Sequence, residues 1–270
     1  MFQSLWNFLN QVNVWYIALI VWINQTFFCS SPFCSSRYGK FSHQLVVIGD
    51  DFAYGYGDSN HRLGSPPGLA KHLCNKIMKE RKVKHVWELF NQGIVGSTSR
   101  DWLPRSELKD GAKSKGLFDK VFSNKRMEKA EVVIVMVGCN DARTTTDPIS
   151  PEETVQNITS ICRVLRNLGK DVYLCTICTY GDKKTLSANQ VEGNLARNEG
   201  ILAFLKDNKE GVIAGPRLDA ESYEFRSPEF FHPDGIHMSH KAYLKLSKDF
   251  SDMMVTNLIK REFAVMKALL

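Results

Sequence analysis

The first 36 residues of this 270-residue chain carry no charged side chain; Arg37 is the first. A cleaved secretory signal normally opens on a basic stretch, so its absence argues against one. Residues Val12 to Cys29 are mostly apolar, with an unbroken apolar core from Val14 to Ile23 interrupted on either side by Asn13, Asn24 and Gln25. About 18 such residues suffice to cross a bilayer as a helix. The arm therefore predicts a membrane helix over about residues 12–29, the other readings being a helix buried against partner subunits, a targeting segment or a buried arm. Arg37, Lys40 and Arg62 follow it, which favours the matrix or cytoplasmic side for what comes next. An organellar membrane, with the mitochondrial inner membrane favoured, is the expected location, and membrane lipid with subunits of a membrane protein complex the expected partners.

A strong excess of one charge sign is also lacking, with 35 Lys and Arg against 29 Asp and Glu. The net charge of +6 is spread along the chain, with no basic tract interleaved with aromatics, so nucleic acid is not an expected partner. The seven cysteines are odd in number and lie mostly in apolar stretches, which suggests free buried thiols. Cys175 and Cys178 form a CxxC with no second pair near it, so core packing is expected there rather than a metal centre. No metal and no cofactor is expected elsewhere.

From residue 43 the pattern alternates. Leu45 to Ile48, Val83 to Phe90, Glu131 to Val137, Val172 to Ile177 and Gly211 to Ala214 read as strands. Gly68 to Arg81, Glu152 to Leu168, Gly193 to Lys209 and a segment opened by Ser239 and His240 read as helices. Such alternation predicts a three-layer α/β/α sandwich on a five-stranded parallel sheet, with chemistry at the carboxyl ends of the strands. Residues 1–42 would form the arm, 43–252 the domain, and 253–270 an amphipathic helix carrying Met254, Leu258, Ile259, Phe263, Met266 and Leu270 on one side.

Four short blocks sit just past those strands: Gly49-Asp50-Asp51, Asn91 to Thr98, Gly138 to Asp141, and Asp234 to His237. Their order and content resemble the SGNH (GDSL) hydrolase family, whose fold is flavodoxin-like. The resemblance implies a nucleophile position at Asp51, oxyanion donors at Gly96 and Asn140, and a charge-orienting pair at Asp234 and His237. Asp50 and Gly138 would support them. The family's nucleophile is serine, and here it is Asp51.

A carboxylate that attacks an acyl ester gives an adduct from which the carboxylate departs more readily than an alkoxide, so the reaction runs backwards. The sequence therefore predicts a membrane-associated protein without ordinary serine esterase activity, a pseudoenzyme in which the Asp51 anion occupies the oxyanion donors and pairs with His237, leaving it a poor base near neutrality, and which serves as a structural or accessory subunit. The alternative is an active hydrolase that uses Asp51 with His237 and Asp234 on an ester or another small substrate. A carboxylate nucleophile suits displacement at saturated carbon, as in halides or epoxides, or phosphoryl transfer; otherwise Asp51 and His237 would jointly activate a water, with the oxyanion donors kept for a direct attack.

Overall fold

A computed structural model describes the chain except for residues 1–11, 13–14, 29–30, 35–38, 59–62, 65, 109–113, 144–147, 179–187, 208, 220–227, 233 and 269–270. Its centre is a mixed sheet of six strands: β1 (Phe33–Cys34), β2 (Ser42–Gly49), β3 (Val86–Gly93), β4 (Val132–Met136), β5 (Asp171–Leu174) and β6 (Ile213–Ala214). They lie side by side in the order β1-β3-β2-β4-β5-β6. All neighbours pair parallel except β1, which lies antiparallel to β3 with Phe33 opposite Leu89. The expected five-stranded parallel sheet thus gains an antiparallel edge. A two-residue strand is too short to announce itself by periodicity.

The middle of the sheet is dry because its sequence is apolar on both faces: every residue of β4 is buried, and Leu45 to Ile48 of β2 are fully so. The helices that flank it include α1 (Asp51–Tyr54), α2 (Leu69–Lys79), α3 (Leu117–Phe122), α4 (Lys125–Glu128), α5 (Pro151–Asn167), α6 (Ala188–Asp207) and α7 (His240–Lys267). Helix α2 packs against α7, and α5 against α6. Ser150 and Ser239 cap α5 and α7 by accepting the N–H of Glu153 and Ala242. Helix α7 runs unbroken to Lys267, burying Met254 and Leu258 while Phe263 and Met266 stay exposed. Leu270 lies outside the described residues.

The arm departs from expectation. Residues 15–23 are helical and Asn24–Phe28 continue as a π-turn. Among the described residues no helix is long and apolar enough to cross a membrane. The polar residues that interrupt the apolar run hold it to the domain: Asn24 is fully buried and its Oδ1 accepts the Gly64 N–H at 2.9 Å, while Gln25 Nε2 donates to the Gly93 carbonyl at 3.3 Å. Ile20 and Val21 are buried beside them. The predicted spanning helix over 12–29 is corrected accordingly. With no such helix among the described residues, the organellar-membrane location and the lipid and membrane-complex partners are corrected as well, and so is the accessory-subunit role, which drew on that helix together with Asp51 and the amphipathic C-terminal segment. Cys29, Arg37 and Arg62, which framed that reading, lie outside the described residues.

Candidate active site

The sheet delivers three loops to one place. Strand β2 ends at Gly49, whose φ of +142° lies in a region that favours glycine and where a Cβ would collide with the Met136 carbonyl at 1.8 Å. The chain then turns sharply into α1. Asp50 caps that single turn, its Oδ1 accepting the Phe52 N–H at 3.1 Å, while its Oδ2 accepts the Cys139 N–H at 2.8 Å. One buried carboxylate thereby ties the ends of β2 and β4 together. Burial, together with the charge of Asp51, lifts the Asp50 carboxyl to about 7 despite those donors.

Asp51, the first residue of α1, is 4% exposed, and its two oxygens meet different partners. Oδ1 accepts the Gly96 N–H at 2.5 Å and the Asn140 side-chain amide at 3.2 Å. Oδ2 lies 3.2 Å from His237 Nε2 and 3.9 Å from Arg143 Nη1. Burial opposes ionisation of Asp51, but the hydrogen bonds from His237, Gly96 and Asn140 and the histidine charge outweigh it, holding the carboxyl below its ordinary range.

The loop before α7 supplies the histidine. Asp234 Oδ1 accepts the N–H groups of Ile236 and His237, and its Oδ2 lies 2.8 Å from His237 Nδ1 and 3.1 Å from His232 Nδ1. Both ring nitrogens of His237 thus face carboxylates, which accept only, so both bonds require an imidazolium. Burial lowers the proton affinity of His237, and the bonds to Asp234 and Asp51 more than reverse this, raising its pKa. The Tyr56 ring packs over the imidazole at 4.5 Å and Phe52 at 5.9 Å.

Asp141 fastens the Gly96 and Asn140 loops. It accepts the Ser99 N–H at 2.8 Å, the Ser99 hydroxyl at 2.5 Å and the Thr154 hydroxyl at 2.7 Å. Asn140 Nδ2 is also shared with the Ser97 carbonyl at 3.0 Å. Gly138, at φ +115°, begins that turn, where a Cβ would meet Ile177 at 2.8 Å. Gly96 itself is exposed, and a Cβ there would meet nothing within 4 Å, so open space adjoins the two donors.

The structure brings Asp51, Gly96, Asn140, Asp234 and His237 into one centre, with Asp50 and Gly138 directly behind it. Sequence reasoning missed Tyr56 and Arg143, which stand in loops without any spacing that marks them. It named the block containing Asp141 without giving that residue its clamping part.

The family model for the GDSL-like lipase/acylhydrolase family matches residues 47–245. Among solved structures, the chain is similar to a lipase/acylhydrolase from Enterococcus faecalis, with 18% identity, a TM-score of 0.55, and 80% of this chain and 96% of that one covered. It is also similar to a catalytic mutant of Axe2, an acetylxylan esterase from Geobacillus stearothermophilus, at 15% identity and a TM-score of 0.56, covering 80% of this chain and 94% of that one. A third likeness is to TesA, at 19% identity and a TM-score of 0.55, covering 78% and 98%. At these identities the likeness shows the fold alone. No curated protein matches the chain.

Proposed function

The chain belongs to the GDSL-like lipase/acylhydrolase family, and from that premise we propose that it is a small-molecule hydrolase in which the Asp51 carboxylate attacks an electrophilic saturated carbon, such as that of an epoxide or a haloalkane. Residues 43–252 form the catalytic unit in this reading. The observation that carries it is the division of labour between the two oxygens of Asp51: Oδ1 sits on the Gly96 and Asn140 donors, and Oδ2 sits beside His237.

In the first half-reaction Oδ2 forms a bond to carbon while the leaving atom departs with its electron pair. The product is an ester of Asp51 whose carbonyl oxygen is Oδ1, already on its two donors. Esterification removes the anion beside His237, so the imidazolium yields a proton: with an epoxide the newly formed alkoxide takes it, and with a haloalkane it passes to solvent alongside the departing halide. Asp234 keeps the now neutral ring oriented.

In the second half-reaction His237 takes a proton from water as the water oxygen adds to the Asp51 carbonyl carbon, with the oxyanion on Gly96 and Asn140. Collapse expels the alkyl oxygen, which receives the proton from His237. The regenerated Asp51 carboxyl then returns its own proton to the histidine. An acyl ester does not suit this centre, because the donors its carbonyl needs are held by Asp51 and the carboxylate is the better leaving group.

Incubation with a panel of small epoxides and haloalkanes, beside p-nitrophenyl acetate, tests the reading. Turnover of the first set, abolished in Asp51→Asn, is expected. Turnover of the acetate alone would refute it.

A further inference from the structure

Behind the centre lies a second cluster that the proposed chemistry does not use. Asp58 is fully buried; its Oδ2 lies 2.7 Å from His72 Nε2 and accepts the Gly68 N–H at 3.0 Å, while its Oδ1 lies 2.7 Å from His240 Nδ1. The two imidazoles meet edge to face at 5.0 Å. The three residues come from three separate segments: the loop after α1, the body of α2 and the first residue of α7.

We infer that Asp58, His72 and His240 form a binding site for a divalent transition-metal cation of the zinc type. One nitrogen from each histidine and one carboxylate oxygen all lie within 4.8 Å of one another. Bonds of about 2.1 Å to such an ion bring ligand atoms to roughly 3.4 Å apart, so shifts on the order of 1 Å close the set. Two nitrogens and an oxygen are the donors this class of cation prefers over magnesium or calcium. The His240 side chain is 39% exposed, which gives the ion a route in and leaves a side for water. Binding displaces protons from the imidazole nitrogens that face the ion, so affinity falls in acid.

The position gives the ion a consequence. Asp58 stands two residues beyond Tyr56, whose ring covers His237, and His240 stands three residues beyond His237. A Cβ on the intervening Gly57 would lie 2.8 Å from the His237 Cβ, which shows how closely the two segments run. An ion here fastens the turn that carries Asp51 to the loop that carries His237.

Metal-stripped full-length protein titrated with zinc(II) by calorimetry tests the site, with cobalt(II) absorption as a spectroscopic reporter. One equivalent is expected to bind, raising Tm and giving visible cobalt bands without a thiolate charge-transfer band. His240→Gln and Asp58→Asn are expected to weaken zinc by more than about tenfold, the lower bound seen for loss of a ligand's supporting partner alone, and to abolish the zinc-dependent rise in Tm. Asp58→Asn retains an oxygen for the Gly68 N–H, and circular dichroism of both metal-free variants verifies folding. Binding that survives both substitutions, a thiolate band, or no saturable binding would overturn the site. These readouts do not depend on turnover at Asp51.

Discussion

Asp141 holds Ser99 twice, by its backbone N–H at 2.8 Å and its hydroxyl at 2.5 Å. That pair ties the loop bearing Asn140 to the loop bearing Gly96. Asp141→Ala leaves the buried Ser99 N–H and hydroxyl without their acceptor, while Thr154 keeps the Ser150 carbonyl, and the expected loss of stability is about 3 kcal/mol. Urea unfolding measures it, and turnover should fall further than the loss of folded protein explains, because both Oδ1 donors lose their alignment. Unchanged stability would show that the clamp is dispensable.

Asp51→Ser exchanges the anion on the Gly96 and Asn140 donors for a hydroxyl beside His237. With its second carboxylate gone the imidazole gives up its proton more readily and becomes a base. Labelling by a fluorophosphonate should appear in the variant and be missing from the unaltered protein, whose nucleophile position has no hydroxyl. In-gel fluorescence reads both. Labelling of the unaltered protein at another serine of this centre would displace Asp51 from its assigned part.

The folded-state pKa of His237 is raised, so the stability its proton contributes is complete below its unfolded value of about 6.5 and is lost as pH rises through the folded value. Asp50, lifted to about 7, acts in the same direction: above that pH the unaltered protein holds a second buried anion beside Asp51. The Tm advantage of the unaltered protein over Asp51→Asn should therefore be greatest in mild acid and shrink toward pH 9. Asp51 and Asp234, both depressed, contribute stability that disappears only as pH falls below the ordinary carboxylate range. Imidazole NMR should show His237 titrating above 6.5, and lower in Asp51→Asn. A Tm gap that widens with pH would contradict these assignments.

Glu262, near the end of α7, accepts the backbone N–H groups of Lys84 and His85 and the indole N–H of Trp87. Glu262→Ala strands all three at the start of β3, and a loss of about 3 kcal/mol is expected by chemical denaturation. A change under about 0.5 kcal/mol, the range of an ordinary surface site, would show that water replaces the carboxylate at no cost.

Much of this was legible in the sequence because the signals are local. The valine and isoleucine run at β4 and the apolar run at β2 are buried on both faces and leave little else to be, and the glycines and acids that end the strands mark where the loops turn. The ordered blocks mark Asp51, Gly96, Asn140, Asp234 and His237 as one group in the sequence itself. What stayed hidden depends on tertiary packing. Asn24 and Gln25 looked like blemishes in a membrane helix and are in fact its attachments to Gly64 and Gly93. Asp58 and His240 stand 182 positions apart, with His72 between them and no spacing to link the three, and β1 is too short to show a period.

The covalent step is the central claim, and single-turnover hydrolysis of an epoxide in oxygen-18-labelled water, with protein in excess, tests it most directly. Since water adds to the Asp51 carbonyl carbon and the alkyl oxygen leaves with the product, the label should enter the Asp51 carboxylate and be missing from the diol, as read by mass spectrometry of the Asp51 peptide and of the product. Label in the diol with none in Asp51 would mean that water attacks the substrate directly, and would contradict the account.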